Sequence, residues 1–308
     1  ADMLRATRNV AGFHTAMQIH LVEASPTLRA RQKELLAQYD IRWHETVDDL
    51  PDLPLFLVAN EFFDALPIRQ FQRQGDGWAE RRVGINDSAL TLGLAEPAPH
   101  PALTHRLKDT KDGDLVEVSA TSTAIAQEIG EKIERFGGIA LIVDYGDWHS
   151  LGDTLQAMKA HSPIDPLETP GLADLTAHVD FEALALATPS AYSRLTPQGI
   201  FLERLGVSAR ANALAANLRD VALENHIAAH RRLTHPAEMG DLFKVIGITP
   251  NKAPLLPGLN ISALRLIRTF RWVNLAFWMA QRLTVISGAA PTHWVAPFQG
   301  HFQAVSMR

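Results

Sequence analysis

The feature that most constrains this chain is the apolar run Leu55-Phe56-Leu57-Val58-Ala59, which follows Pro54 and is closed at once by Asn60-Glu61. Such a run is too short for a helix and too continuous for a strand with one wet face. It predicts a strand buried on both sides, as in the middle of a parallel sheet. Parallel strands need helical crossovers, and the flanking sequence supplies them. Met17-Gln18-Ile19-His20-Leu21-Val22-Glu23 reads as a buried strand ending in an acid, and Ser25-Pro26 then offers an N-cap and a first-turn proline to a helix over residues 27–39. Ile41-Arg42-Trp43-His44, residues 115–118 and residues 138–143 read as further strands, the last ending in Asp144-Tyr145-Gly146, with a helix over 121–136. Between residues 68 and 94 the pattern changes to Arg69-Gln70-Phe71-Gln72-Arg73, a Gly75-Asp76-Gly77 turn and residues 78–83, which predict an inserted β-hairpin. Beyond Gly152 the elements are expected to be mainly helical, with helix starts at Thr196-Pro197-Gln198 and His235-Pro236-Ala237-Glu238 and a last strand over residues 243–248. The alternation predicts an α/β fold with a doubly wound sheet.

Composition narrows the chemistry. A chain of 308 residues, 46% hydrophobic and 20% charged, can bury a sizeable core, and a net charge of −5 with scattered basic residues argues against a nucleic-acid partner. With no cysteine, there is no disulfide, thiol nucleophile or thiolate-bound metal, so chemistry falls to carboxylates, histidines, hydroxyls and a cofactor. Residues 263–286 are apolar but carry Arg265, Arg268, Arg271 and Arg282, which suits a surface-lying amphipathic helix rather than a transmembrane span. Ala1-Asp2-Met3-Leu4-Arg5 reads as the middle of an amphipathic helix, so an upstream segment is expected.

Open α/β sheets bind ligands beyond the carboxyl ends of their strands, which makes the strand-closing polar residues the first candidates. Glu23 is placed either to accept hydrogen bonds from both hydroxyls of a ribose or to cap the following helix in solvent. Asn60 is placed to meet a cofactor or to cap a helix. Glu61 and Asp64, three apart at the start of an expected short helix, form a small anionic pocket or stabilise the helix N-terminus, while Phe62, Phe63 and Leu66 read as core. The stretch from His161 to Asp180 places His161 and His178 in one connection with Asp174 and Asp180, but its spacings match no compact metal motif. Asp180 is expected to cap a helix from Phe181, with His178 a hydrogen-bonded loop residue.

The segments Val58-Ala59-Asn60-Glu61-Phe62-Phe63-Asp64-Ala65-Leu66-Pro67, Val143-Asp144-Tyr145-Gly146 and Asp174-Leu175-Thr176-Ala177-His178-Val179-Asp180-Phe181 resemble signature blocks of the MidA family. So do Gly199-Ile200-Phe201-Leu202-Glu203-Arg204-Leu205-Gly206 and Met239-Gly240-Asp241-Leu242-Phe243-Lys244-Val245, in the same order. The resemblance spans about residues 1–258. It implies a Rossmann-like class I methyltransferase sheet with additional helices covering the site over about 152–242, S-adenosyl-L-methionine as cofactor, and methylation of arginine on a protein substrate. In the family's mitochondrial members that substrate is a respiratory complex I subunit, dimethylated symmetrically. By the same resemblance Glu23 holds the cofactor ribose, Asn60-Glu61 lie at the donor methyl, Glu61 and Asp64 are catalytic, and Asp144, Tyr145, His161 and His178 contact substrate. No metal is implied. The family's glycine-rich loop, expected just before Ala1, is not in this sequence, so the first central strand and the backbone cradle for the cofactor's methionine part are expected to be missing and cofactor binding weak. Residues 259–308 match nothing in the family. A homodimer and a bacterial cytoplasmic location, or the mitochondrial matrix for a eukaryotic source, complete the expectations. The rival readings are a non-catalytic assembly protein on the same fold and a nucleotide-dependent oxidoreductase.

Overall fold

The computed structural model describes residues 2–254 and 256–259, together with the backbone of 283–287. Two short helices, α1 (Asp2–Thr7) and α2 (Phe13–Ala16), lead into strand β1 (Ile19–Val22), helix α3 (Pro26–Leu35), and strands β2 (Ile41–His44) and β3 (Leu55–Asn60). Ser25 caps α3 by accepting from the Leu28 amide at 3.3 Å. The chain then leaves the main sheet for β4 (Arg69–Gln74), β5 (Gly77–Asn86), β6 (Ala89–Leu94) and β7 (Leu115–Val118), and returns through α4 (Ala120–Phe136) and β8 (Gly138–Asp147). After β8 come β9 (Gln156–Lys159), β10 (Ser162–Ile164), β11 (Asp174–Thr176), β12 (Val179–Asp180) and α5 (Phe181–Ala187). Strands β13 (Ala191–Tyr192) and β14 (Thr196–Pro197), helices α6 (Gln198–Arg204), α7 (Val207–Ala215) and α8 (Asp220–Thr234), and strands β15 (Phe243–Thr249) and β16 (Leu283–Ser287) complete the described elements.

The main sheet runs β13-β15-β8-β3-β16-β1-β2, with β15 antiparallel and β8, β3, β16, β1 and β2 parallel. As its apolar run implies, β3 is central, with Leu55, Phe56, Leu57 and Ala59 all buried. One face packs on α4 through Ala126, Ile129 and Ile133, whose i, i+3, i+7 spacing makes a single apolar stripe, and on Phe181 and Leu184 of α5. The other face packs Val143, Phe243 and Val245 against Phe201 of α6. Gly138 enters β8 at φ 109, and a Cβ there would lie 2.0 Å from the Leu55 carbonyl oxygen, so only glycine admits the close β3–β8 approach.

Several expectations change. The slot of the expected missing central strand is filled from elsewhere in the chain: β16 lies between β1 and β3, parallel to both, with Val285 level with Leu21 and Val58. The helix expected over 263–286 lies outside the described residues up to 282, and its last residues belong to this strand. The inserted hairpin grows into a four-stranded antiparallel sheet, β6-β5-β4-β7, because Val116 of β7 completes an apolar cluster with Phe71, Trp78 and Leu103. The part after Gly152 is not mainly helical at its start; it opens with the antiparallel sheet β10-β9-β11. His235-Pro236 begins only one wide turn, Pro236–Gly240, broken at Glu238 by non-helical backbone. Residues 243–248 do form a strand, β15.

Candidate active site

β3 ends at Asn60, and its hydrogen-bond ladder with β8 runs one residue further, through the Glu61 amide to the Val143 carbonyl at 3.0 Å. There the chain turns rather than forming the expected short helix. Glu61 takes left-handed backbone at φ 49, which costs a residue with a Cβ on the order of 1 kcal/mol. What holds the turn is Asp144, fully buried at the carboxyl end of β8. Its Oδ2 accepts from three successive amides, Phe62 at 3.2 Å, Phe63 at 3.0 Å and Asp64 at 3.3 Å, while its Oδ1 accepts from the Tyr145 amide at 3.0 Å. Consecutive amides converging on one anion form a nest, here closed by an internal carboxylate. Asp144, expected at the substrate, is fully enclosed, and its four amide donors make it the anchor of the turn.

Above the anchor lie two further acids. The Tyr145 hydroxyl donates to Asp64 Oδ2 in a short hydrogen bond, and the buried Asp64 Oδ1 has no hydrogen-bond partner. Glu61 Oε1 accepts from the Asn60 side-chain amide at 3.0 Å. Burial raises the ionisation of Glu61, Asp64 and Asp144 above the usual carboxylate range. Mutual repulsion adds to the rise, Asp64 acting on both Glu61 and Asp144, while Arg232 of α8 draws Glu61 back down. Burial, then the Asp64 charge, pushes the Tyr145 phenol far above its ordinary range, so it is a donor at every accessible pH. The segment after β11 packs beside the turn: the Ala177 amide donates to the Asp64 carbonyl at 2.9 Å, and the His178 ring stands edge-on to Tyr145 at 5.5 Å. Burial lowers His178, which favours neutral imidazole, and its amide donates to Thr154 Oγ1 at 2.8 Å.

Glu23 lies beyond the end of β1, two strand spacings from β3, or roughly 10 Å. It is buried rather than open to solvent. Oε1 accepts from the Ser25 amide at 2.9 Å and Oε2 from Gln32 Nε2 at 2.9 Å, and Gln32 is held in turn by Trp43 Nε1 at 3.1 Å. A carboxylate oxygen has two lone pairs, so each keeps one for a hydroxyl donor. Asn60, Glu61, Asp64, Tyr145 and His178 thus surround one site on the Asp144 anchor, with Glu23 along the same sheet edge. His161 is elsewhere, on the exposed turn between β9 and β10 at φ 66. Gln32 and Trp43 escaped the sequence reading because neither ends a strand. Among the described residues, no group of three or more histidines or acids is arranged to hold a metal ion.

A sheet of this order, with its acids at the carboxyl ends of parallel strands, is the Rossmann-like fold of class I methyltransferases. A crystal structure of a Burkholderia thailandensis protein bound to S-adenosyl-homocysteine matches with TM-score 0.67 and 27% identity, covering 84% of this chain and 70% of that one. Residues 1–200 match the family model described as "Putative S-adenosyl-L-methionine-dependent methyltransferase", and the chain belongs to that family. It is 32% identical over 280 residues to the mitochondrial protein arginine methyltransferase NDUFAF7 of Xenopus laevis, covering 81% of this chain and 64% of the relative. The Danio rerio protein of that name is 33% identical over 276 residues, covering 80% and 65%. The chain therefore spans less than two thirds of the length of these relatives.

Proposed function

We propose that this chain carries the site of an S-adenosyl-L-methionine-dependent methyltransferase acting on arginine side chains of a protein. The observation that carries the reading is Asp64 Oδ1, a buried carboxylate oxygen without a partner, beside Glu61 at the carboxyl end of the central strand. An unsatisfied buried acceptor among acids calls for a cation with N–H donors, and a guanidinium is planar, permanently charged and rich in them. Its arrival supplies the positive charge that burial otherwise denies Glu61 and Asp64.

The donor set suits the cofactor. Glu23 would take the ribose hydroxyls through its spare lone pairs, and Asn60 would lie toward the reacting end. When bound, S-adenosyl-L-methionine supplies an electrophilic methyl on a sulfonium. Glu61 and Asp64 orient one guanidinium nitrogen toward that methyl, and orientation carries most of the rate. As the new N–C bond forms and the S–C bond breaks, the nitrogen loses one proton to a carboxylate whose raised ionisation suits it as acceptor. Tyr145 and His178 wall the pocket. His161, on its outlying turn, would meet a protein substrate away from the reacting atoms. We infer, from the family resemblance, that the substrate is a respiratory complex I subunit or its bacterial counterpart, that the protein acts as a homodimer, and that it works in the bacterial cytoplasm or, in a eukaryote, the mitochondrial matrix. Among the described residues, no helix is long and apolar enough to cross a membrane.

Calorimetric titration with S-adenosyl-homocysteine, together with methyl transfer from labelled cofactor to complex I subunits, tests this. Glu61→Gln is expected to leave S-adenosyl-homocysteine affinity within a few-fold and to cut transfer by about a hundredfold. Undiminished transfer would remove Glu61 from the chemistry, and the absence of both S-adenosyl-homocysteine binding and methyl transfer at saturating cofactor would overturn the methyltransferase reading for this chain.

A further inference from the structure

Asp64 and Tyr145 lie far apart in sequence but are fixed to one carboxylate: Asp144 accepts from the Asp64 amide at 3.3 Å and from the Tyr145 amide at 3.0 Å. The Tyr145 ring is held edge-on by Phe243 at 5.5 Å and by His178 at 5.5 Å. Backbone and ring together aim the hydroxyl at Asp64 Oδ2, and its one proton is spent there. The other oxygen, Oδ1, stays bare.

We propose that Tyr145 is a positioning residue of the methyl transfer: by binding Asp64 Oδ2 it fixes the carboxylate so that Oδ1 presents to the substrate cation, and it keeps that carboxylate ionised to receive the departing proton. The catalytic part of this rests on the methyltransferase reading above, whereas the control of Asp64 does not. Two other roles for Tyr145 fail on the same geometry. It is no general base, since burial and the Asp64 charge hold its phenol protonated. It is no donor to substrate, since its hydrogen is committed.

The charged and titratable groups around it come from every packed element. Glu61 and Asp64 lie on the turn and Asp144 precedes it on β8. The Thr176 hydroxyl approaches from β11, and His178 from the segment after it. Arg232 acts from α8 on Glu61, while Lys244 of β15, Glu117 and Asp147 act on His178.

The test is Tyr145→Phe, which removes one hydroxyl. Carbon-13 NMR of the side-chain carboxyls across pH, with Asp64→Asn identifying the resonance, should show the Asp64 midpoint higher in Tyr145→Phe than in the unsubstituted chain, because a bond favouring the charged form is gone. The acidic limb of the kcat profile should move up with it, and kcat at neutral pH should fall about tenfold while KM for the cofactor holds. Should Tyr145→Phe fold poorly, Asp64→Asn serves from the other side: the phenolate absorbance titration of the three tyrosines should show one moving down toward its ordinary range. An unmoved Asp64 midpoint, or an unmoved phenol in Asp64→Asn, overturns the proposal. If the unsubstituted chain transfers no methyl group, the methyltransferase reading falls, while the two titrations still decide whether Tyr145 governs Asp64.

Discussion

At the scale of single residues, five acids share one physical condition. Glu23, Glu61, Asp64, Asp144 and Asp180 are all raised, each chiefly by burial. In the window just above the ordinary carboxylate range, from about pH 4 upward, the folded chain holds protons that the unfolded chain has released. Stability therefore falls as pH rises through that window and is recovered as pH falls back. Melting curves across pH should show this slope, and Asp64→Asn should flatten it; an unchanged slope would mean Asp64 ionises as it does when unfolded. Glu80 runs the other way: hydrogen bonds from Arg69 and Arg82 pull it down to about 2, so any contribution it makes is lost only as pH falls to that value. The positions of Glu23, Asn60 and Glu61 were legible because an acid or amide closing an apolar run must sit at a strand end. Asp144 looked like another of these, and its anchoring role was hidden because three of its four amide partners lie 80 to 82 residues away.

At the scale of elements, short-range signals read well. Asp180 caps α5 as expected, accepting from the Ala183 amide at 2.9 Å, and its other oxygen takes the Ser150 amide at 3.0 Å. Asp180→Ala should cost about 1 kcal/mol in urea unfolding from the cap alone. Gly138→Ala should cost more, several kcal/mol, because its Cβ meets the Leu55 backbone and either the β3–β8 ladder opens or the strand start shifts. If this variant melts like the unsubstituted chain, the close approach of the two strands is wrong. The strand β3, the hairpin β4–β5 and the helix α4 were each announced by local periodicity or turn chemistry. The turn at residues 61–64 was not, because acids three apart read as a helix start, and the left-handed Glu61 is imposed by amides reaching back to a distant carboxylate. The small sheet β10-β9-β11 was missed for a related reason: its strands are three or four residues long, too short for a period to register.

At the scale of the whole molecule, the doubly wound order followed from alternation alone, but the identity of the middle strand did not. A local reading assigns neighbours by sequence order, and β16 reaches its neighbours β1 and β3 from the far end of the chain. Among the described strands, the middle one of the sheet is thus the last in chain order. Without residues 283–287, the described strands β1 with β2 and β3 with β8 form two half-sheets, each showing an open parallel edge. Such edges invite pairing with other chains. Refolding from urea should be slow, on the millisecond-to-second scale of folds built on distant contacts, and its yield should drop as protein concentration rises. A fast, concentration-independent recovery would mean the two halves do not wait for β16. The site inherits this dependence: Glu23 stands on one half and the Asp144-anchored turn on the other, so its acids come together only when β16 joins them.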